Sequence, residues 1–138
     1  MPALAQDLTS INFTTPSKNI DCLMFDFNET AAASCVVKSA SWKKLPAKPA
    51  DCDLDWSATE IGITSEKSGS TFKNSLNAGT CRGDIGPLCG PTCLVLGYGK
   101  SRTFRNITCT SAKAGVTCRT TSGPKKGFTV SRAGYTVL

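Results

Sequence analysis

Asn106-Ile107-Thr108-Cys109-Thr110-Ser111-Ala112-Lys113-Ala114-Gly115-Val116-Thr117-Cys118-Arg119-Thr120 is the stretch that decides the fold. Two short β-favouring runs, Asn106–Thr110 and Val116–Thr120, flank Lys113-Ala114-Gly115, and strands separated by turn chemistry mark an antiparallel protein. Gly115 can supply the positive φ of a hairpin turn, where an alanine would be strained. Cys109 and Cys118 then sit one on each arm.

Working outward, Phe128–Ser131 and Tyr135–Leu138 suit further strands joined by glycine-containing turns, so the C-terminal third reads as a β-meander. Toward the N-terminus, Ile11-Asn12-Phe13 leads into a turn at Thr15-Pro16-Ser17-Lys18-Asn19. Ile20–Phe25 and Ser34–Lys38 follow as strands. Lys43–Pro49 holds two prolines and three lysines and is expected to be an exposed connection. Leu54–Trp56 and Ile61–Thr64 read as short strands. Ser65–Asn77 gives mixed signals, with a short helix conceivable over Thr71–Leu76. Gly83–Pro91 reads as a structured loop before an apolar strand, Leu94–Tyr98. The expected fold is all-β, a small antiparallel sandwich or barrel.

Asn19-Ile20-Asp21-Cys22 echoes Asn106-Ile107-Thr108-Cys109, and each is followed by a second cysteine, Cys35 after twelve intervening residues and Cys118 after eight. Both segments look like cysteine-closed hairpins. That pairs Cys22 with Cys35 and Cys109 with Cys118, leaving Cys52 with Cys81 and Cys89 with Cys93, one of 105 connectivities open to eight cysteines. An even cysteine count without any histidine argues against a mixed-ligand zinc site and for disulfides formed in an oxidising compartment. A chain of 138 residues fits one ordinary domain. Ala3-Leu4-Ala5 resembles the small-residue end of a signal peptide, so residues 1–5 read as its remnant and 6–138 as a disulfide-rich β domain, secreted or periplasmic. No apolar run approaches the ~20 residues that span a bilayer.

The net charge of +6 conceals an asymmetry. Met1 to Asp84 carries eight basic and ten acidic side chains, whereas Ile85 to Leu138 carries eight basic and none acidic. Those eight are Lys100, Arg102, Arg105, Lys113, Arg119, Lys125, Lys126 and Arg132. On one face they would attract an anionic envelope polymer or an acidic protein, with nucleic acid a lesser expectation. Dispersed, they would simply solvate the surface.

Several motifs invite chemistry and fall short of it. Gly97-Tyr98-Gly99-Lys100-Ser101 ends like a phosphate-binding loop, but the earlier glycine that motif needs is Leu94, so a turn is expected. Cys89-Gly90-Pro91-Thr92-Cys93 has one residue too many for a thioredoxin-type motif and no helical pattern behind it. Asp51, Asp53 and Asp55 alternate like the start of a calcium loop, but Trp56 stands where glycine is needed and Gly62 where glutamate is. As a strand, they would face solvent opposite Cys52, Leu54 and Trp56. A glycosidase would need two opposed carboxylates, for which Asp53, Asp55, Glu60 and Asp84 are the candidates by elimination. The absence of histidine removes Ser/His/Asp and Cys/His mechanisms. Trp42, Trp56, Tyr98, Phe104 and Tyr135 could stack on sugars, but a domain with so few aromatics needs most of them in its core.

Four ordered elements resemble those of a known family: Thr15-Pro16-Ser17-Lys18-Asn19-Ile20-Asp21-Cys22, Cys52-Asp53-Leu54-Asp55-Trp56, Ile107-Thr108-Cys109-Thr110-Ser111 with Gly115-Val116-Thr117-Cys118, and Gly127-Phe128 through Ser131-Arg132 to Tyr135. The family comprises small exported bacterial proteins classed as a domain of unknown function. The resemblance covers about Phe13 to Leu138 and implies no active site, and the Cys89/Cys93 pair departs from the pattern. The expected function is that of an exported, non-catalytic envelope binding protein without cofactor or metal, engaging an anionic polymer or a protein through its basic half. An inhibitor or immunity-type protein against an acidic hydrolase or toxin is the alternative, and a carboxylate-dependent hydrolase the third.

Overall fold

The computed structural model describes residues 10–83, 88–90 and 93–138. Among the described residues, eleven strands form two sheets. The larger contains β1 (Ser10–Thr14), β2 (Ile20–Phe27), β3 (Thr30–Val37), β4 (Asp55–Ser68), β5 (Thr71–Arg82) and β6 (Leu94–Val95), in the order β5-β4-β3-β2-β1-β6. The smaller is a meander of β7 (Ser101–Phe104), β8 (Ile107–Ala112), β9 (Gly115–Thr120), β10 (Gly127–Ser131) and β11 (Gly134–Val137). Neighbours are antiparallel except β6, which runs parallel to β1. Side chains alternate faces along each strand, and the inward sets of the two sheets make one core. Phe13, Met24, Ile61 and Ile63 from the large sheet meet Ile107, Val116, Phe128 and Val130 from the small one, all fully buried.

The four disulfides are Cys22–Cys35 and Cys109–Cys118, as the echo of the two hairpins predicts, and the two pairs that this leaves, Cys52–Cys81 and Cys89–Cys93. Cys22 faces Cys35 directly across β2 and β3, and Cys109 faces Cys118 across β8 and β9. Their Cα atoms lie 4.1 and 4.0 Å apart, the close approach found between opposed residues of non-hydrogen-bonded pairs. Both bridges point inward, and Cys35 Sγ lies 3.7 Å from Cys118 Sγ. Neither oxidised sulfur carries a proton, so this is a van der Waals contact joining the centres of the two sheets.

The structure departs from the expectation at several points. Leu54–Trp56 and Ile61–Thr64 belong to one long strand, β4, whose register with β5 shifts between Ser57 and Ile61. Thr71–Leu76 is not helical but opens β5, with Ser65 and Asn74 paired and buried between the sheets. Asp51 and Asp53 precede β4 rather than lying on a strand, and Leu54 is exposed instead of facing inward. The expected strand Leu94–Tyr98 shortens to Leu94–Val95, because Gly97-Tyr98-Gly99-Lys100 forms the compact turn, with Lys100 N–H donating to Gly97 O at 3.0 Å. Gly115 does have positive φ (142°), yet it is the first residue of β9; the turn itself is Lys113-Ala114. A Cβ there would lie 2.2 Å from Val130 O, so close approach of β10 demands the glycine. The signal-peptide remnant, Asp84, and the Pro91-Thr92 centre of the five-residue cysteine loop lie outside the described residues.

Candidate functional site

At one end of the sandwich, a buried polar network locks the turn between β7 and β8 to the loop between β9 and β10. Asn106 Nδ2 donates to Ser65 Oγ at 2.7 Å, and Ser65 Oγ donates to Asn74 Oδ1. Asn74 Nδ2 in turn donates to the carbonyls of Ser122 and Pro124 at 2.8 and 2.6 Å. Thr121 N–H donates to Asn106 O at 2.8 Å and closes the circuit. Each member is satisfied, which is the condition under which a buried polar network rigidifies a structure rather than weakening it. Gly123 fits against Phe72 in the left-handed region (φ 74°), where a Cβ would come within 2.7 Å of Phe72 Cβ. The effect is to hold Arg105 and the Lys125-Lys126 pair on the same end of the molecule.

A cleft of about 460 Å3 opens there, lined by Asp26, Glu29, Lys67, Phe72, Arg105 and Asn106 among others. Arg105 occupies the first position of a two-residue turn with φ 55°, an uncommon conformation for a residue other than glycine or asparagine. Its Nε donates to Asp26 Oδ2 at 2.8 Å, and its guanidinium stands 5.6 Å from the Phe104 ring centroid. The pair bridges the two sheets, but Arg105 is 54% exposed, so the attraction is heavily screened and the guanidinium keeps a face toward solvent.

The eight basic residues do not form one cluster. Strand register divides them: Arg105, Lys125 and Lys126 lie at the cleft end, with Arg119 on the outer surface nearby, opposite Thr108 and Gly127. Lys100, Lys113 and Arg132 lie at the other end. Arg102 is half-buried on the edge strand β7, opposite Cys109. Among the described residues, Asp26 is the single carboxylate in an ion pair with any of them.

A second depression, about 740 Å3, lies on the outer face of the large sheet, between Leu23 and Phe25 on one side and Pro49 and Trp56 on the other. Its floor is made of small residues, among them Ala32, Ser34 and Gly62. At its end Glu60, 2% exposed, accepts from Ser34 Oγ at 2.8 Å and pairs with Arg82 through Nε and Nη2, both at 2.9 Å. Both Glu60 oxygens are therefore engaged by this chain. Asp53 and Asp55 are exposed and line neither depression. Among the described residues no three His, Cys, Asp or Glu side chains cluster as metal ligands, and no helix is long and apolar enough to cross a membrane. Trp42 and Phe104 belong to the core, Tyr135 packs on Trp42 with ring centroids 5.3 Å apart, and Tyr98 stands exposed.

Cysteine content and alternation point to the scaffold, but nothing local in the sequence marks Asn74 or Asn106 as the residues that assemble the cleft. Neither a curated protein nor a solved structure matches the chain. The model of one family does match, over residues 1–138, and the chain belongs to that family, DUF6636, a family of unknown function.

Proposed function

We propose that this is an exported, non-catalytic binding protein whose ligand is a polyanion, engaged by the cations at the cleft end. The observation that carries the reading is the near absence of internal partners: eight cations from residue 100 onward and, among the described residues, one ion pair, Arg105 with Asp26. Cations in the turns and loops that join disulfide-stapled strands, most of them without an internal carboxylate, present a positive field that an anionic polymer can enter with little reordering of the sheets. Four disulfides fit an oxidising compartment, which favours the periplasm or the exterior as the setting. Catalysis by paired carboxylates is the weaker reading, since Glu60 is committed to Arg82 and Ser34. A protein partner is the second reading, favoured by the apolar depression beside Trp56.

Retention on immobilised heparin tests the first reading. The double variant Lys125→Glu/Lys126→Glu is expected to elute at much lower salt than the parent. Lys43→Glu/Lys44→Glu changes the net charge equally in the connection between β3 and β4, away from the cleft, and is expected to shift elution less. Equal shifts would reduce the effect to net charge, and unchanged retention of the first variant would end the proposal.

A further inference from the structure

The outer face of the small sheet carries a row of hydroxyls that crosses every strand. Register places Ser101 opposite Thr110, Thr110 opposite Thr117, Thr117 opposite Thr129, and Thr129 opposite Thr136. Thr103 and Thr108 begin a second row that continues to Arg119. The residues between them along each strand, such as Cys109, Cys118 and Phe128, point into the core, so the hydroxyl side faces away from it. Neighbouring hydroxyls already bond one another: Ser101 with Thr110 at 2.7 Å, Thr103 with Thr108 at 2.8 Å and Thr117 with Thr129 at 2.9 Å. Each such pair uses one proton and leaves the other, with spare lone pairs, for a ligand. Cations border the main row on both sides, Arg119 toward the cleft end and Lys100, Lys113 and Arg132 toward the other. No Asp or Glu side chain occurs from Ile85 onward.

We infer that this face is the track of an anionic glycan chain laid across the strands. The inference rests on the polyanion reading above and adds to it the ligand's chemistry and path. Strands about 4.8 Å apart repeat the hydroxyl at a spacing close to the rise of one sugar along an extended chain. Threonine methyls offer apolar contact to sugar C–H faces, and Arg119 can grip a carboxylate or sulfate with two parallel hydrogen bonds. Charge complementarity chooses an anionic chain over a neutral one. Sheet twist chooses a flexible chain over a crystalline surface, because roughly 20–25° per strand turns the row too far across five strands for a rigid plane to follow.

The test titrates the full chain with hyaluronate and heparin oligosaccharides, which carry uronate alone or uronate with sulfate, and with inorganic polyphosphate, an anion without sugar. Thr110→Val/Thr129→Val preserves charge and strand preference, and its urea midpoint and circular dichroism should match the parent. It is expected to weaken binding of at least one glycan about tenfold, the loss of one or two hydrogen bonds, with polyphosphate affinity unchanged. Arg119→Gln should weaken both. Glycan binding by the valine variant equal to the parent's overturns the track while leaving the polyanion reading intact. A parent that binds none of the three probes overturns both.

Discussion

Gly79 shows how a single missing Cβ organises the underside of the large sheet. Its φ is 84°, and a Cβ there would lie 2.2 Å from Trp56 Cζ2, so the indole lies where a side chain would otherwise be. Trp56 is held there by its Nε1 donating to Pro46 O at 2.9 Å, which pins the proline-containing connection. Gly99 has the same φ, 83°, but open space where its Cβ would be. Gly99→Ala should therefore cost about 1 kcal/mol in backbone strain alone, whereas Gly79→Ala adds displacement of a ring and should cost roughly 2–4 kcal/mol. Urea unfolding of the two variants checks this. Equal losses would mean that Trp56 moves aside freely and does not anchor the connection.

At the scale of elements, the two cysteine-closed hairpins were readable because a disulfide and a turn both specify register, and they agree. Cys22 and Cys35 sit directly opposite one another, as do Cys109 and Cys118. The hairpin of β4 and β5 was obscure for a physical reason. Its inward positions Ser65 and Asn74 are polar because they bond to Asn106 and the β9–β10 loop, and polar residues on the buried side erase the alternation that betrays a strand. β7 is not legible in the sequence because it is a short edge strand that places Arg102 on the side of Cys109. The eight cations could be counted in the sequence, but their division between two ends depends on register and could not. The contact of the two inner disulfides yields a prediction. Removing Cys52–Cys81 (sequence separation 29) frees a longer loop than removing Cys109–Cys118 (separation 9), which by chain entropy favours the former as the costlier loss by ~1 kcal/mol. Emptying the centre of the core should outweigh that difference, since two buried sulfurs are lost and Cys35 is left facing a void, at roughly 1 kcal/mol or more for each atom removed. Cys109→Ala/Cys118→Ala is thus expected to have the lower urea midpoint, and a lower midpoint for Cys52→Ala/Cys81→Ala would show that loop entropy dominates.

At the scale of the whole molecule, no disulfide joins the two sheets. Cys22–Cys35 lies within the large sheet, Cys52–Cys81 ties β5 to the connection before β4, Cys109–Cys118 lies within the small sheet, and Cys89–Cys93 closes a loop of its own. The chain up to Asp84 carries ten acidic and eight basic side chains and the chain after it eight basic and none acidic, and among the described residues β6 is the strand that this second part contributes to the large sheet. What holds them together is burial of facing apolar surfaces, the sulfur contact between Cys35 and Cys118, the Asn74–Asn106 network and the Arg105–Asp26 pair, all non-covalent. A protease site inserted directly after Gly83 should therefore yield a nicked protein that elutes as one native species, because neither sheet can leave its inner face uncovered in water. In urea without reductant it should separate into two oxidised fragments, each with its cysteines paired internally. Fragments that stay joined under those conditions would reveal a bridge between the halves and contradict the connectivity, while fragments that part before denaturant is added would show that the core between the sheets is too weak to carry the fold.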